Sequence, residues 1–247
     1  MPRRKLARFE HNAKAANVIE PGKEIYNTIK GNWSKFFKND NPIVLELGCG
    51  RGEYTTGLAN RFPEKNFIGV DVKGCRIWKG STVAIENNMH NVAFLRAQIR
   101  LIRDYFEKNE VEEIWVTFPD PKPRDRDEKN RLPGPEFLGI YKDILKEGGR
   151  VHLKTDCVPL FDFALEKLQL AGRGNTMFPF YIKSLEFTHD LYSSELLKEQ
   201  HGIQTTYEKK FLGEGLKINY LRFQLFSNPD YVKKVEEPEV SALTSDD

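Results

Sequence analysis

Cysteine is scarce in this chain. Cys49, Cys75 and Cys157 are the three in 247 residues, an odd number with no clustering. That excludes a disulfide framework or a cysteine-built metal site as the organising device, and it suits a reducing, cytoplasmic compartment. No apolar run is long enough to cross a membrane. The basic start, Met1-Pro2-Arg3-Arg4-Lys5, is not followed by the apolar stretch of a secretion signal, so none is expected. His11, His90, His152, His189 and His201 are scattered and read as structural or surface residues, and no Cys/His pair for nucleophilic chemistry stands out. Internal repeats are absent, as is low-complexity sequence away from the termini. Net charge is also small, at +2, but it is unevenly spread. Residues 1–40 hold nine Lys/Arg against four Asp/Glu, whereas from Asn228 onward there are two against six. The front end can meet phosphates and the tail cannot.

With 39% hydrophobic and 30% charged residues, the composition is that of a soluble globular protein. The length suits one α/β domain with additions.

The richest stretch is Val44-Leu45-Glu46-Leu47-Gly48-Cys49-Gly50-Arg51-Gly52-Glu53. An apolar run ends in a carboxylate and three alternating glycines, and Asp71 closes a second apolar run, Phe67-Ile68-Gly69-Val70. Strand, glycine turn, helix, strand, carboxylate is how an open parallel sheet holds an adenosine-containing ligand. The glycines let the ligand approach the backbone, and Asp71 stands where a carboxylate accepts from both ribose hydroxyls. A dinucleotide turn spaces its glycines G-x-G-x-x-G, whereas here Gly52 comes one residue early and Glu53 follows. A carboxylate at that helix start repels a pyrophosphate. It suits S-adenosylmethionine, which has an ammonium group and no phosphate, with Glu46 receiving the amino group directly or through water. A structural turn and a nicotinamide site are the weaker readings.

Alternating apolar segments and helical periods extend the βα pattern. Strands are expected at 43–47, 66–71, 92–95, 113–118 and 150–154, and helices at 54–61, 73–89, 99–108, 138–145 and 158–170. Gly148-Gly149 reads as a turn. Segments 182–187 and 218–226 read as a closing pair of strands with a helical insert between them. The fold class is therefore α/β: a Rossmann-like sheet, mostly parallel with an antiparallel edge strand, and helices on both faces. Residues 1–17 are expected to be mobile without a partner, and 22–38 to form one amphipathic helix. Trp33, Trp78 and Trp115 fall on apolar faces and read as core; Ile77, Trp78 and Ala84/Ile85 are expected to point inward from the 73–89 helix.

Ligands in such sheets sit beyond the carboxyl ends of the strands. The fourth strand exits into Phe118-Pro119-Asp120-Pro121, which aims Asp120 where a transferable methyl would lie. A loop with Lys122, Arg124, Arg126, Lys129 and Arg131 follows; it can grip phosphates or simply be solvated. The fifth strand ends Lys154-Thr155-Asp156, sending a second carboxylate to the same opening, although Asp156 also fits a helix cap.

These motifs, with Thr205-Thr206-Tyr207-Glu208, resemble the bacterial tRNA (guanine-N7-)-methyltransferase family, a class I S-adenosylmethionine-dependent family, over about residues 42–226. The glycine turn is common to many methyltransferases; the proline-bracketed Asp120 with the late T-x-[YF]-E segment is far more specific. The resemblance implies that Glu46, Gly48, Gly50, Gly52, Asp71, Gln98 and Asp120 bind the cofactor. It implies that Asp120 is also catalytic, and that Arg124, Asp156, Thr205, Thr206, Tyr207 and Glu208 meet the tRNA guanine or its surroundings. Gln98 stands where the family usually has Asp; its amide oxygen still accepts from the adenine amino group, without charge assistance. Asp125, Asp127 and Glu128 dilute the basic loop, which shifts phosphate binding toward Arg3, Arg4, Lys5, Arg8 and Lys14. Three units follow: a basic arm and amphipathic helix (1–40), a methyltransferase domain (41–227) and an acidic, disordered tail (228–247).

The implied reaction is methyl transfer to guanine N7 in tRNA, at the family's guanine 46 of the variable loop. N7 has a free lone pair, so neither a nucleophilic side chain nor a strong base is needed, only alignment and a carboxylate near the charge that develops. Glu208 and Asp156 suit the N1–H and N2–H₂ edge of guanine. Thr205 to Glu208 also read as an ordinary capping box. Partners are tRNA, no membrane and no metal, with monomer and homodimer both open. The alternatives are a methyltransferase for another RNA base or a small molecule, and a non-catalytic RNA-binding protein that retains the cofactor.

Overall fold

The computed structural model describes residues 3–172 and 177–231. Among these residues, eight strands form one sheet. In chain order they are β1 (Val18–Ile19), β2 (Ile43–Leu47), β3 (Asn66–Val70), β4 (Val92–Leu95), β5 (Val111–Thr117), β6 (Leu145–Thr155), β7 (Phe180–Thr188) and β8 (Asn219–Ser227). Across the sheet the order is β1-β4-β3-β2-β5-β6-β8-β7. Pairings from β1 to β6 are parallel, and β8 runs antiparallel to both β6 and β7. The α/β sheet with its antiparallel closing pair is thus as expected; β8 lies inside and β7 outermost.

Eight α-helices among the described residues accompany the sheet: α1 (Arg3–Lys14), α2 (Ile25–Thr28), α3 (Trp33–Phe37), α4 (Glu53–Arg61), α5 (Gly74–Glu86), α6 (Pro135–Ile144), α7 (Val158–Gly172) and α8 (Thr206–Gly213). The period of two along a strand splits the core. Ile43, Leu45 and Leu47 of β2 join a cluster with Trp33, Tyr141 and Phe161, under α3, α6 and α7. Val44 joins the opposite cluster with Tyr54, Ile77, Trp115 and Tyr220, under α4 and α5. Glu46 is the next residue on that second face. On β6, Val151 and Leu153 belong to the first cluster, so His152 and Lys154 fall on the second.

Several elements differ from the sequence reading. The N-terminal segment is a docked helix: the Asn12 side chain donates to the Gly74 carbonyl at 2.8 Å, and the Arg8 guanidinium lies 4.8 Å from the Trp78 ring centre. Val18 and Ile19 then add a parallel strand to β4. A strand of two residues has too short a period to be legible. The single helix expected over 22–38 is broken at Gly31, where φ is +68°, into α2 and α3. Trp33 stays buried and its indole donates to the Tyr105 carbonyl at 2.9 Å. On α5 the buried stripe is Gly74, Ile77, Gly80, Ser81 and Ala84, while Trp78 is half-buried and Ile85 exposed. Small residues let α5 lie close: a Cβ on Gly80 would sit 2.5 Å from Phe94 and 2.8 Å from the Arg51 carbonyl oxygen. Trp78 and Ile85 are therefore pushed off the stripe. The expected 99–108 helix is a 3₁₀ segment, Ile99–Asp104. The Gly148-Gly149 turn is an irregularity within β6, where the register with β5 jumps. The acidic tail beyond residue 231 and the side chains of Arg3 and Arg4 lie outside the described residues.

Candidate active site

The carboxyl ends of β2, β5 and β6 open onto a cavity of about 510 Å³, within the usual range for a small-molecule site. Its wall combines Glu46, Gly48, Gly50, Asp120, Asp156, Thr205, Thr206 and Tyr207, segments from four distant parts of the chain. Cys49, Arg51, Lys73, Arg76, Thr117, Phe118, Cys157 and Phe211 also line it, although the sequence does not mark them as site residues. Arg51 lies within the glycine turn and Thr117 at the end of a strand, so position was the signal available for both.

Gly48 and Gly50 take φ of +78° and +55°. A Cβ on Gly50 would meet nothing within 4 Å, so the turn is kept open toward the cavity. Gly52 differs. It does not line the cavity, and its Cβ would sit 2.5 Å from Phe94 Cε1; it is glycine for packing and for its φ of +70°.

Glu46 is buried at the cavity floor. Its Oε2 accepts from Thr55 N–H at 2.8 Å and from the Thr55 hydroxyl, and its Oε1 from the Thr117 hydroxyl at 2.6 Å. All these donors are neutral. Burial outweighs them and pushes the carboxyl up to about 7. Asp71 is also buried, and both its oxygens accept backbone N–H groups, Gly50 at 3.0 Å and Lys73 at 2.7 Å. It ties the glycine turn to the start of α5 and does not line the cavity. Gln98 is exposed, precedes the 3₁₀ segment and is likewise outside the cavity wall.

Asp120 projects from the rim with its side chain 70% exposed and pairs with Lys122 Nζ at 2.8 Å. That hydrogen bond holds its carboxyl below the usual range, so it is ionised at neutral pH. The chain reaches it through Phe118, whose φ of +49° is costly for an aromatic residue. Phe118 also packs on Phe211 of α8. Asp156, half-buried, has its carboxyl pushed up by burial. Arg124 lies outside the cavity wall, 2.7 Å from Asp127, and Arg131 reaches Glu128 at 3.9 Å. The acidic residues of this loop thus occupy several of its cations.

Thr205 caps α8 and forms a capping box with Glu208. Thr206 N–H donates to Glu53 Oε2 at 2.7 Å, and its hydroxyl bonds the other oxygen. The carboxylate after the glycine turn therefore clasps the far wall of the cavity. Glu208 does not line the cavity; it is buried against Lys154.

A family model described as "Putative methyltransferase" matches residues 40–221. A tRNA (guanine-N(7)-)-methyltransferase of Cytophaga hutchinsonii is 52% identical over 224 residues, covering 91% of this chain and 98% of that one. The protein of the same name from Christiangramia forsetii is 48% identical over 227 residues, covering 90% and 97%. The chain belongs to the tRNA (guanine-N(7)-)-methyltransferase family.

The family's sheet is shared more widely. The solved 16S rRNA methyltransferase KamB superposes with a TM-score of 0.58 at 16% identity, over 80% of this chain and 94% of that one. An antibiotic-related methyltransferase gives 0.55 at 18% identity, over 78% and 92%. These two show the class I methyltransferase fold alone. Among the described residues no helix is long and apolar enough to cross a membrane, and no group of three or more His, Cys, Asp or Glu is arranged to hold a metal.

Proposed function

We propose that this protein transfers a methyl group from S-adenosylmethionine to N7 of guanine in tRNA, at guanine 46 of the variable loop. Family membership carries the enzyme class, cofactor and substrate class. The observation that carries the site is the meeting of Asp120, Asp156 and Thr205–Tyr207 with the open Gly48–Gly50 turn in one cavity.

The residues present fit the cofactor. Glu46 is a buried acid whose hydrogen-bond donors are all neutral, and an α-ammonium group completes it. Gly48 and Gly50 leave the backbone open to a nucleoside, and Asp71 fixes their turn while remaining the candidate for the ribose. S-adenosylmethionine supplies the methyl group on a sulfonium. The protein's task is to hold guanine N7 in line with it. Methylation leaves positive charge on the purine. Asp120, ionised at the rim, favours that charge more in the transition state than in the ground state. Asp156 and Thr205 line the same cavity, and we assign them to the guanine edge. No residue is required to remove a proton from N7.

The RNA strand has a path to follow. A second cavity of about 360 Å³ shares Gly50, Arg51, Arg76 and Tyr207 with the first and adds Arg8, Trp78 and Lys79. None of Arg8, Arg51, Arg76 and Lys79 forms an ion pair with a described residue. Cations free of acids, beside an exposed Tyr207, suit a phosphate backbone next to a splayed base. Phosphate binding thus falls to α5, the glycine turn and α1 more than to the loop after Asp120. Residues 41–227 are assigned as the methyltransferase domain, and a cytoplasmic location follows from the substrate. Incubation with methyl-labelled cofactor and tRNA lacking the modification, followed by nucleoside analysis, tests the reading. 7-Methylguanosine at position 46 is expected; label in another nucleoside, or none, overturns it.

A further inference from the structure

Glu208 and Lys154 are both ionisable, and neither side chain has exposed surface. Glu208 Oε1 lies 2.8 Å from Lys154 Nζ and accepts from the Tyr192 hydroxyl at 3.0 Å. Its Oε2 lies 2.9 Å from the same ammonium and accepts from Thr205 N–H at 3.4 Å. A carboxylate has about four acceptor positions, and these four contacts occupy them. None is left for a guanine edge, and Glu208 is absent from the cavity wall. Its neighbours Thr205, Thr206 and Tyr207 are in that wall. Lys154 stands on β6, two residues before Asp156, with its ammonium 4.9 Å from the Tyr54 ring centre.

We propose that Lys154 and Glu208 are a positioning pair: their buried salt bridge fixes the first turn of α8 against the end of β6, and Glu208 does not touch the guanine. The end of β6 then does two things. Lys154 anchors the wall that carries Thr205–Tyr207, and Asp156 presents the acceptor to the base. A buried pair of this kind adds little stability against an apolar pair of similar volume, but losing one partner strands a charge. Its value here is the fixed register of α8. The inference rests on the guanine-N7 reading above.

The test compares Glu208→Gln, Lys154→Met and the double variant, by kcat/KM for 7-methylguanosine formation on unmodified tRNA. Each single change leaves one buried charge without its partner, and a loss of about 100-fold or more is expected. The double variant removes both charges, while the amide oxygen introduced at position 208 still accepts from Tyr192 or Thr205. It is expected to regain about tenfold or more over either single variant. If Glu208 reads the base, the double variant stays at or below Glu208→Gln, and the proposal fails. A second measurement needs no variant. Native acetylation of the wild-type chain, read by mass spectrometry, is expected to label exposed Lys73 and Lys79 in the free protein and to spare Lys154 with and without bound tRNA; labelling of Lys154 in either state overturns the pair. A wild-type protein that spares Lys154 but forms no 7-methylguanosine refutes the functional reading and leaves the pair standing.

Discussion

The two faces of the central sheet are built on different principles. Toward α6 and α7, Leu45, Leu47, Val70, Val116 and Leu153 meet Tyr141, Phe161 and Leu168 in an apolar layer. Toward α4 and α8 the same strands present Glu46, Thr117, His152 and Lys154, all buried, among Tyr54, Trp115 and Tyr220. On the first face, energy comes from area removed from water, and residues of like size are interchangeable at modest cost. On the second, each polar group depends on specific partners, so identity matters more than volume. His152 illustrates this: its ring stacks on Trp115 at 3.8 Å and its Nδ1 meets the Tyr220 hydroxyl at 2.7 Å. The cavity opens beside the second face, so the candidate site adjoins the face whose polar groups are individually partnered.

The comparison breaks if stability and activity do not separate between the faces. The largest expected effect is Phe161→Ala on the apolar face: about 3–5 kcal/mol of stability in urea unfolding, with kcat per folded molecule unchanged. A comparable loss in kcat with stability retained would erase the distinction. Asp120→Ala is the converse. Its side chain is exposed, so the melting temperature should hardly move, while single-turnover methyl transfer falls about 10²–10³-fold and tRNA affinity survives.

Glu46 sharpens the comparison through pH. Its folded pKa, about 7, lies above the ordinary 4.5. The folded state therefore holds the proton more tightly. This group's contribution is complete below pH 4.5 and is lost as pH rises toward 7, about 3 kcal/mol in all. Urea titrations across that window should show the slope, and Glu46→Gln should remove it. Cofactor affinity runs the other way, weakening about tenfold per unit below pH 7, because the ammonium group needs the ionised acid.

The glycine turn separates packing from ligand access. Gly52→Ala forces a Cβ onto Phe94 at positive φ and should cost about 2–4 kcal/mol of stability. Gly50→Ala, with open space at its Cβ, should cost about 1 kcal/mol and show itself mainly as weaker cofactor binding in calorimetry. The smallest effect is at the clasp. Thr206→Val removes one exposed hydroxyl bond to Glu53, about 1 kcal/mol at most, read as a few-fold rise in KM for tRNA.

The parallel sheet was legible because each βα unit repeats a local pattern: β2, β3, β4 and β5 lie within a residue or two of their expected places. The polar clusters at strand ends were legible for the same reason, and Asp120, Asp156 and Thr205–Tyr207 do share one cavity. What failed was whatever depended on a remote neighbour. Residues 3–14 are polar enough to read as mobile, yet they dock on α5 through Asn12 and Arg8. Trp78 reads as core from its spacing, yet close packing at Gly80 leaves it half-buried. The partners of Asp71 and Glu208 were equally out of reach of the sequence: backbone N–H groups hold one and Lys154 holds the other.

The sequence by itself determined the strand-turn-helix unit at residues 43–61 and the order of elements around it, because positive φ at glycine and side-chain period are properties of neighbouring residues. Only the tertiary structure decided which carboxylates face the cavity and which serve as struts. Lys154 meets Glu208 across 54 positions of chain, and Glu53 meets Thr206 across 153. Burial and partnership, which set a charged group's role, arise from contacts at that range and leave no local trace.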